Sequence, residues 1–190
     1  NFQLIIKSMS EGIPDYIEEI EELKSQWRFS DARKKIHSLM TRHADDYRLH
    51  EEMADIHLSE NDIPKAEEAM KIAQKLNPAS VTGTYLLGYI HISKGNFTLG
   101  VELLEKANSI SVNNPEIIRN LGWGLVMLGK TKKWITLLRR ALNLAPNDEL
   151  IMEDLGVALI GDGYIEEGSE YLKKVGKEYR IAELLSMMRM

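Results

Sequence analysis

His43, His50 and His57 recur at intervals of seven. Imidazoles so spaced can share a side of a helix, and with a third converging group they could hold a transition metal. His50-Glu51-Glu52-Met53-Ala54 begins like a zinc-protease helix, but Ala54 stands where the second ligand histidine must be, so that motif fails. Carboxylate pairs at Glu18-Glu19, Glu21-Glu22 and Glu166-Glu167 have the residue types for general acid–base work. Such work needs a cleft that perturbs their pKa values, and these pairs lie in highly charged stretches that read as solvated helix faces. The glycines do not form a phosphate-binding loop after a strand. The chain has no cysteine, which excludes thiolate nucleophiles, thiolate zinc sites and disulfides. No enzyme, cofactor or metal site is expected.

Cations gather in one stretch: residues 115–148 carry Arg119, Lys130, Lys132, Lys133, Arg139 and Arg140 against Glu116 and Asp148. Trp123 and Trp134 are interleaved with them, an arrangement that could stack a single-stranded nucleic acid. The whole chain has a formal net charge of −5 and a pI near 5.6, however. General attraction to nucleic acid or to an anionic membrane needs the opposite balance. The patch reads as a surface for an acidic protein or as one that meets nothing, and nucleic acid is not an expected partner.

At 190 residues with 44% apolar content the chain can bury one sizeable core. Its longest apolar runs, such as Leu4-Ile5-Ile6 and Ala158-Leu159-Ile160, fall far short of the roughly 20 residues that a membrane-crossing helix needs, so direct membrane insertion is not expected. The sequence begins at Asn1 without an initiator methionine, which reads as a processed protein or an excised fragment. The absence of cysteine is compatible with a reducing compartment, and the cytoplasm is the favoured location.

The elements that carry these residues are set by an internal period. Gly95, Gly129 and Gly163 are spaced by 34, with Asn61 in phase one period earlier. Ala54, Gly88, Gly122 and Gly156 keep the same spacing, each after an apolar partner at Met53, Leu87, Leu121 and Leu155, and a third column runs Ala73, Ala107, Ala141 and Val175. The physical reading is one helical hairpin per unit: small residues let two helices approach, apolar residues three and four apart bury a stripe, and glycine turns the chain. Asn114-Pro115 and Asn147-Asp148 are helix starts. Hairpins are predicted at 13–46, 47–80, 81–114, 115–148 and 149–182, after a segment at 1–12 and before a capping helix at about 179–190. Ile181, Leu184, Leu185 and Met188 would cover the last hairpin, while Arg180, Glu183 and Arg189 face water. No strand is expected. His50 and His57 fall in columns that elsewhere hold Ile118 and Met152, or Leu125 and Leu159, so they read as packing residues.

Ile118, Leu121-Gly122, Leu125, Ala141 and Pro146 together resemble the tetratricopeptide repeat, as do Met152, Leu155-Gly156 and Leu159, and Met53-Ala54, Ala66, Met70, Ala73 and Pro78. The resemblance covers about 13–182. Trp134, Gly100 and Gly168 depart from the usual alanine of the second helix, and Val112 and Arg180 from the proline. These departures are expected to loosen packing locally. The resemblance implies an all-α, right-handed superhelical solenoid of about five repeats plus a C-terminal capping helix, forming a single domain over 1–190.

The family places first helices on a concave face, which implies a groove lined by Tyr85, Tyr89 and Ile92, then Arg119, Asn120 and Trp123, then Val126, Met127 and Ile160, with Glu153 and Val157. The N-terminal counterparts Glu18, Glu21, Arg48, Glu51, Asp55 and Ser59 would make that end polar. Chaperone-tail binders of the family clamp a terminal carboxylate with Lys and Asn, but the corresponding slots hold Glu51, Asp55, Tyr85 and Tyr89, which cannot neutralise one. The resulting expectation is a scaffold or chaperone that binds an apolar peptide or helix of a client protein, with Tyr85, Tyr89 and Trp123 as anchors. The alternative is a self-assembling scaffold, a homo-oligomer in which the apolar stretch Phe2 to Met9 docks into a neighbour's groove.

Overall fold

The computed structural model describes residues 15–188. Among them are eleven α-helices and no strand: α1 (Asp15–Ser25), α2 (Phe29–Met40), α3 (Tyr47–Ser59), α4 (Ile63–Leu76), α5 (Val81–Ser93), α6 (Phe97–Ile110), α7 (Pro115–Met127), α8 (Thr131–Leu144), α9 (Glu149–Gly161), α10 (Ile165–Lys174) and α11 (Tyr179–Met187). Consecutive helices α1 and α2, α3 and α4, α7 and α8, and α9 and α10 pack against each other as hairpins.

The starts and turns follow from local chemistry. The Asn114 side chain accepts hydrogen bonds from the N–H groups of Glu116 at 3.0 Å and Ile117 at 3.3 Å, and Pro115 occupies the first helical position, where a missing N–H is harmless. Asp46, Asp62 and Asp148 cap α3, α4 and α9 in the same way. Each hairpin turn needs a residue in the left-handed region: φ is 59° at Asn61, 79° at Gly95, 69° at Gly129 and 92° at Gly163. The phase extends one unit further, to Trp27 with φ of 60°, a position that a search for glycine passes over.

Two compact units make up the chain, residues 1–90 and 91–190, and the division falls inside α5. In the first unit, Ile20, Ile36, Leu49, Ile56, Met70, Leu86 and Ile90 form the centre of the core, with Ala32, Ala54, Ala66 and Ala73 where helices cross closely. A buried ion cluster ties α1 to α3: Lys24 Nζ lies 2.6 Å from Glu52, 2.5 Å from Asp55 and 3.0 Å from Glu21. Burial would pull the ammonium down, but Glu52 and Asp55 hold it above the ordinary lysine range. Burial pushes the Glu52 carboxyl up to about 7, against the attraction of Lys24. Glu51 was expected to face the groove and is instead buried. Its carboxyl lies at the start of α5, where burial raises its pKa and the Ser80 hydroxyl and Gly83 N–H draw it down.

The second unit is centred on Leu104, Ile118, Leu121, Leu125, Leu138, Leu155 and Leu172. Its three departures from the usual alanine prove to be tight packing, contrary to the expectation of looseness. A β-carbon at Gly100 would stand 2.7 Å from Ile92 Cδ1, and one at Gly168 would stand 2.7 Å from Ile160 Cγ1 and 2.6 Å from the Gly156 carbonyl oxygen. The glycines therefore admit a neighbouring isoleucine to the helix–helix contact. In the middle hairpin Trp134 reverses the arrangement, its indole lying close against Gly122. Lys133 meets Glu105 at 2.5 Å and Arg139 meets Glu167 at 2.8 Å, linking α8 to α6 and α10. Helix α11 packs on α9 and α10, with Arg180 paired to Glu153. Ile181, Leu184 and Leu185 are half-buried there, whereas Met188, expected to cover the last hairpin, is exposed. Arg189 and the Phe2–Met9 segment lie outside the described residues.

Candidate functional site

One face of α7 presents Glu116, Arg119, Asn120, Trp123 and Val126 at successive turns, and α9 presents Asp154 and Val157 beside them. With Trp134 of α8 as floor, these residues line a groove of about 480 Å3. Trp123 is 49% exposed, with an edge-on contact to Phe97 at 6.5 Å between ring centroids. Arg119 Nε lies 2.8 Å from Asp154 Oδ2, without the alignment of a hydrogen bond. Burial pushes the Asp154 carboxyl up to about 6, against the pull of Arg119. The Trp134 indole N–H has no acceptor.

The groove exists because of the exchange of sizes between hairpins. Ile92, Val126 and Ile160 share a column, as do Gly100, Trp134 and Gly168. Where the second column holds glycine, the isoleucine turns inward: Ile92 is 1% exposed and Ile160 fully buried, so both are core residues rather than the groove residues expected. Where it holds Trp134, the inward space is filled, and Val126 stays outside at 42% exposure. Of the residues singled out from the sequence, Arg119, Asn120, Trp123 and Val126 line this groove, and Met127 is exposed at the end of α7. Tyr85 and Tyr89 belong to the first unit, half-buried against its core. Sequence reasoning missed Asp154 and Trp134 as lining residues. Trp134 could have been found as the one large residue in a column of glycines, whereas Asp154 carries no such signal.

Half of the basic patch is engaged within the unit, since Arg119, Lys133 and Arg139 each pair with a carboxylate on a neighbouring helix. In the first unit, His37, His50 and His57 line a separate groove of about 680 Å3 with Met40 and Met53, and burial draws the His57 imidazole down. Among the described residues no three His, Asp or Glu side chains are placed to hold a metal ion. Nor is any described helix long and apolar enough to cross a membrane.

Repeating helical hairpins, small-residue crossings and a groove on first helices define a helical-repeat fold. A family model described as tetratricopeptide repeat matches residues 84–114. Among solved structures, a thermophilic TPR protein of Thermus thermophilus, TTC0263, is similar with 17% identity and a TM-score of 0.72, over 90% of this chain and 97% of that one. MamA of Desulfovibrio magneticus RS-1 is similar at 16% identity and TM-score 0.68, over 87% and 93% of the respective chains. YrrB, described as a TPR protein with an unusual peptide-binding site, is 22% identical with a TM-score of 0.61, over 75% of this chain and 74% of its own. No curated protein matches by sequence. The chain thus carries a tetratricopeptide-repeat match at residues 84–114 and has the fold of these repeat proteins.

Proposed function

We propose that the chain acts as a scaffold or chaperone whose α7–α9 groove holds an apolar peptide or helix of a client protein. The observation that carries this reading is Trp123, a half-exposed indole on the wall of a groove that Val126 and Val157 make apolar beside it. Aromatic anchors of this kind dominate protein interfaces because they remove a large apolar area from water at little cost in side-chain entropy. The peptide-binding site named for YrrB, a similar protein, supports a peptide as the occupant.

The test is the affinity of an identified client for single variants whose helicity is verified by circular dichroism. Trp123→Ala is expected to weaken binding by about 2 kcal/mol or more. Charge reversal of Lys132 and Lys133 should mainly alter association rate and salt dependence, as exposed rim charges do. Normal binding by the Trp123 variant, with loss on reversing the lysines, would place the client on the outer wall and refute the groove. Tyr85→Ala and Tyr89→Ala belong in the same series: lost affinity at unchanged melting temperature would add them to the site, and a lowered melting temperature would assign them to first-unit packing.

A further inference from the structure

The charges in this groove narrow what the client segment carries. Arg119 is the one cation among its lining residues, and it already lies 2.8 Å from Asp154. Glu116 and Asp154 give the lining a net negative charge, and Asp154 Oδ2 lacks a hydrogen bond despite its ion-pair contact. An acidic client residue could reach Arg119 only by competing with Asp154 and facing two carboxylates. A cation meets no such obstacle. The exposed part of the Trp123 ring adds to this preference, because indole faces attract ammonium and guanidinium groups more strongly than other aromatic rings do.

Resting on the groove reading above, we infer that the occupant is a client segment in which an arginine or lysine adjoins an apolar residue. The apolar side chain packs on Val126 and Val157, and the cation enters between the Trp123 ring and the Asp154 carboxylate. The sequence alone pointed the other way, toward a basic patch that includes Arg119 and suits an acidic protein surface. The structure redirects it because Arg119 is engaged by a neighbour from the next first helix.

The probes are fluorescein-labelled apolar dodecapeptides, identical except at one central position that holds arginine, norleucine or glutamate. They are titrated by fluorescence anisotropy against the full chain at physiological salt. The arginine peptide is expected to bind at least tenfold more tightly than the other two. Asp154→Asn should remove most of that preference, and Trp123→Ala should weaken all three. Equal binding of the arginine and norleucine peptides, tighter binding of the glutamate peptide, or a preference that survives Asp154→Asn and Glu116→Gln would each overturn the inference while leaving an apolar groove in place. Failure of any peptide to bind the wild-type chain would overturn the groove itself. Concentration-dependent self-association in sedimentation, abolished by Trp123→Ala, would make the occupant a second copy and overturn a client segment.

Discussion

Gly122 and Trp134 offer the sharpest test of how the second unit is packed. A β-carbon at Gly122 would stand 2.1 Å from Trp134 Cε2, 2.3 Å from Nε1 and 2.6 Å from Cδ2, all on a rigid bicyclic ring that is only 9% exposed. Two effects of known size oppose each other in Gly122→Ala. Helix propensity favours alanine over glycine by about 1 kcal/mol. Forcing a close-packed indole to move costs about 1–3 kcal/mol, and contacts this short on a ring that cannot bend call for the upper part of that range. The net expectation is a loss of about 1–2 kcal/mol. In a Trp134→Ala background the clash is gone, so the same substitution should stabilise by about 1 kcal/mol. The coupling is then about 2–3 kcal/mol with a reversal of sign, well above what independent sites show. Urea unfolding of the full chain, followed by far-ultraviolet circular dichroism for wild type, both single variants and the double variant, measures it. Should Gly122→Ala prove stabilising in both backgrounds, the indole does not rest on the glycine and the account of the groove floor is wrong.

Three further outcomes are expected. Lys24→Met removes the cation among Glu21, Glu52 and Asp55, and breaking a buried ion cluster from one side typically costs about 3 kcal/mol; the loss should be larger at pH 8 than at pH 5, where Glu52 can take up a proton, and Glu52→Gln should recover part of it in urea melts. The Asp154 carboxyl titrates near 6 in the folded chain against an ordinary 3.8, so ionising it destabilises the fold increasingly as pH rises through that window; Asp154→Asn should raise the melting temperature relative to wild type at pH 8 and leave it unchanged at pH 4, and the opposite pattern would contradict the assignment. Trp27 holds a left-handed backbone, with φ of 60°, that costs a residue with a β-carbon about 1–2 kcal/mol; since its side chain is 79% exposed and touches Phe29 edge-on, Trp27→Gly should raise the melting temperature, as a differential scan would register.

What the sequence disclosed and what it hid divide along a physical line. Hairpins, turns and caps depend on residues close in the chain, so the 34-residue columns and signals such as Asn114-Pro115 placed the helices correctly. Trp27 escaped because the turn needs a backbone angle rather than a glycine, and a bulky residue can be held in it. The site was only half legible. Helical phase put Arg119, Asn120, Trp123 and Val126 on one face, but the same phase misplaced Ile92 and Ile160, because their direction is decided by the size of a residue on the following helix. Glu51 read as a groove-facing charge for a related reason: burial of a charge depends on partners about one hairpin away, which no local pattern records.

The pairing of Ile92 with Gly100, Val126 with Trp134 and Ile160 with Gly168 has a consequence for how such surfaces can change. Eight residues separate the members of each pair, across a single turn, so each hairpin carries its own valve. A glycine draws the aliphatic side chain in and closes the wall; a tryptophan expels it and opens a pocket. Substitution at one second-helix position can therefore switch a hairpin between wall and pocket while the first helix, which would touch a ligand, keeps its sequence. Binding surface in such an array is adjustable one hairpin at a time, from behind.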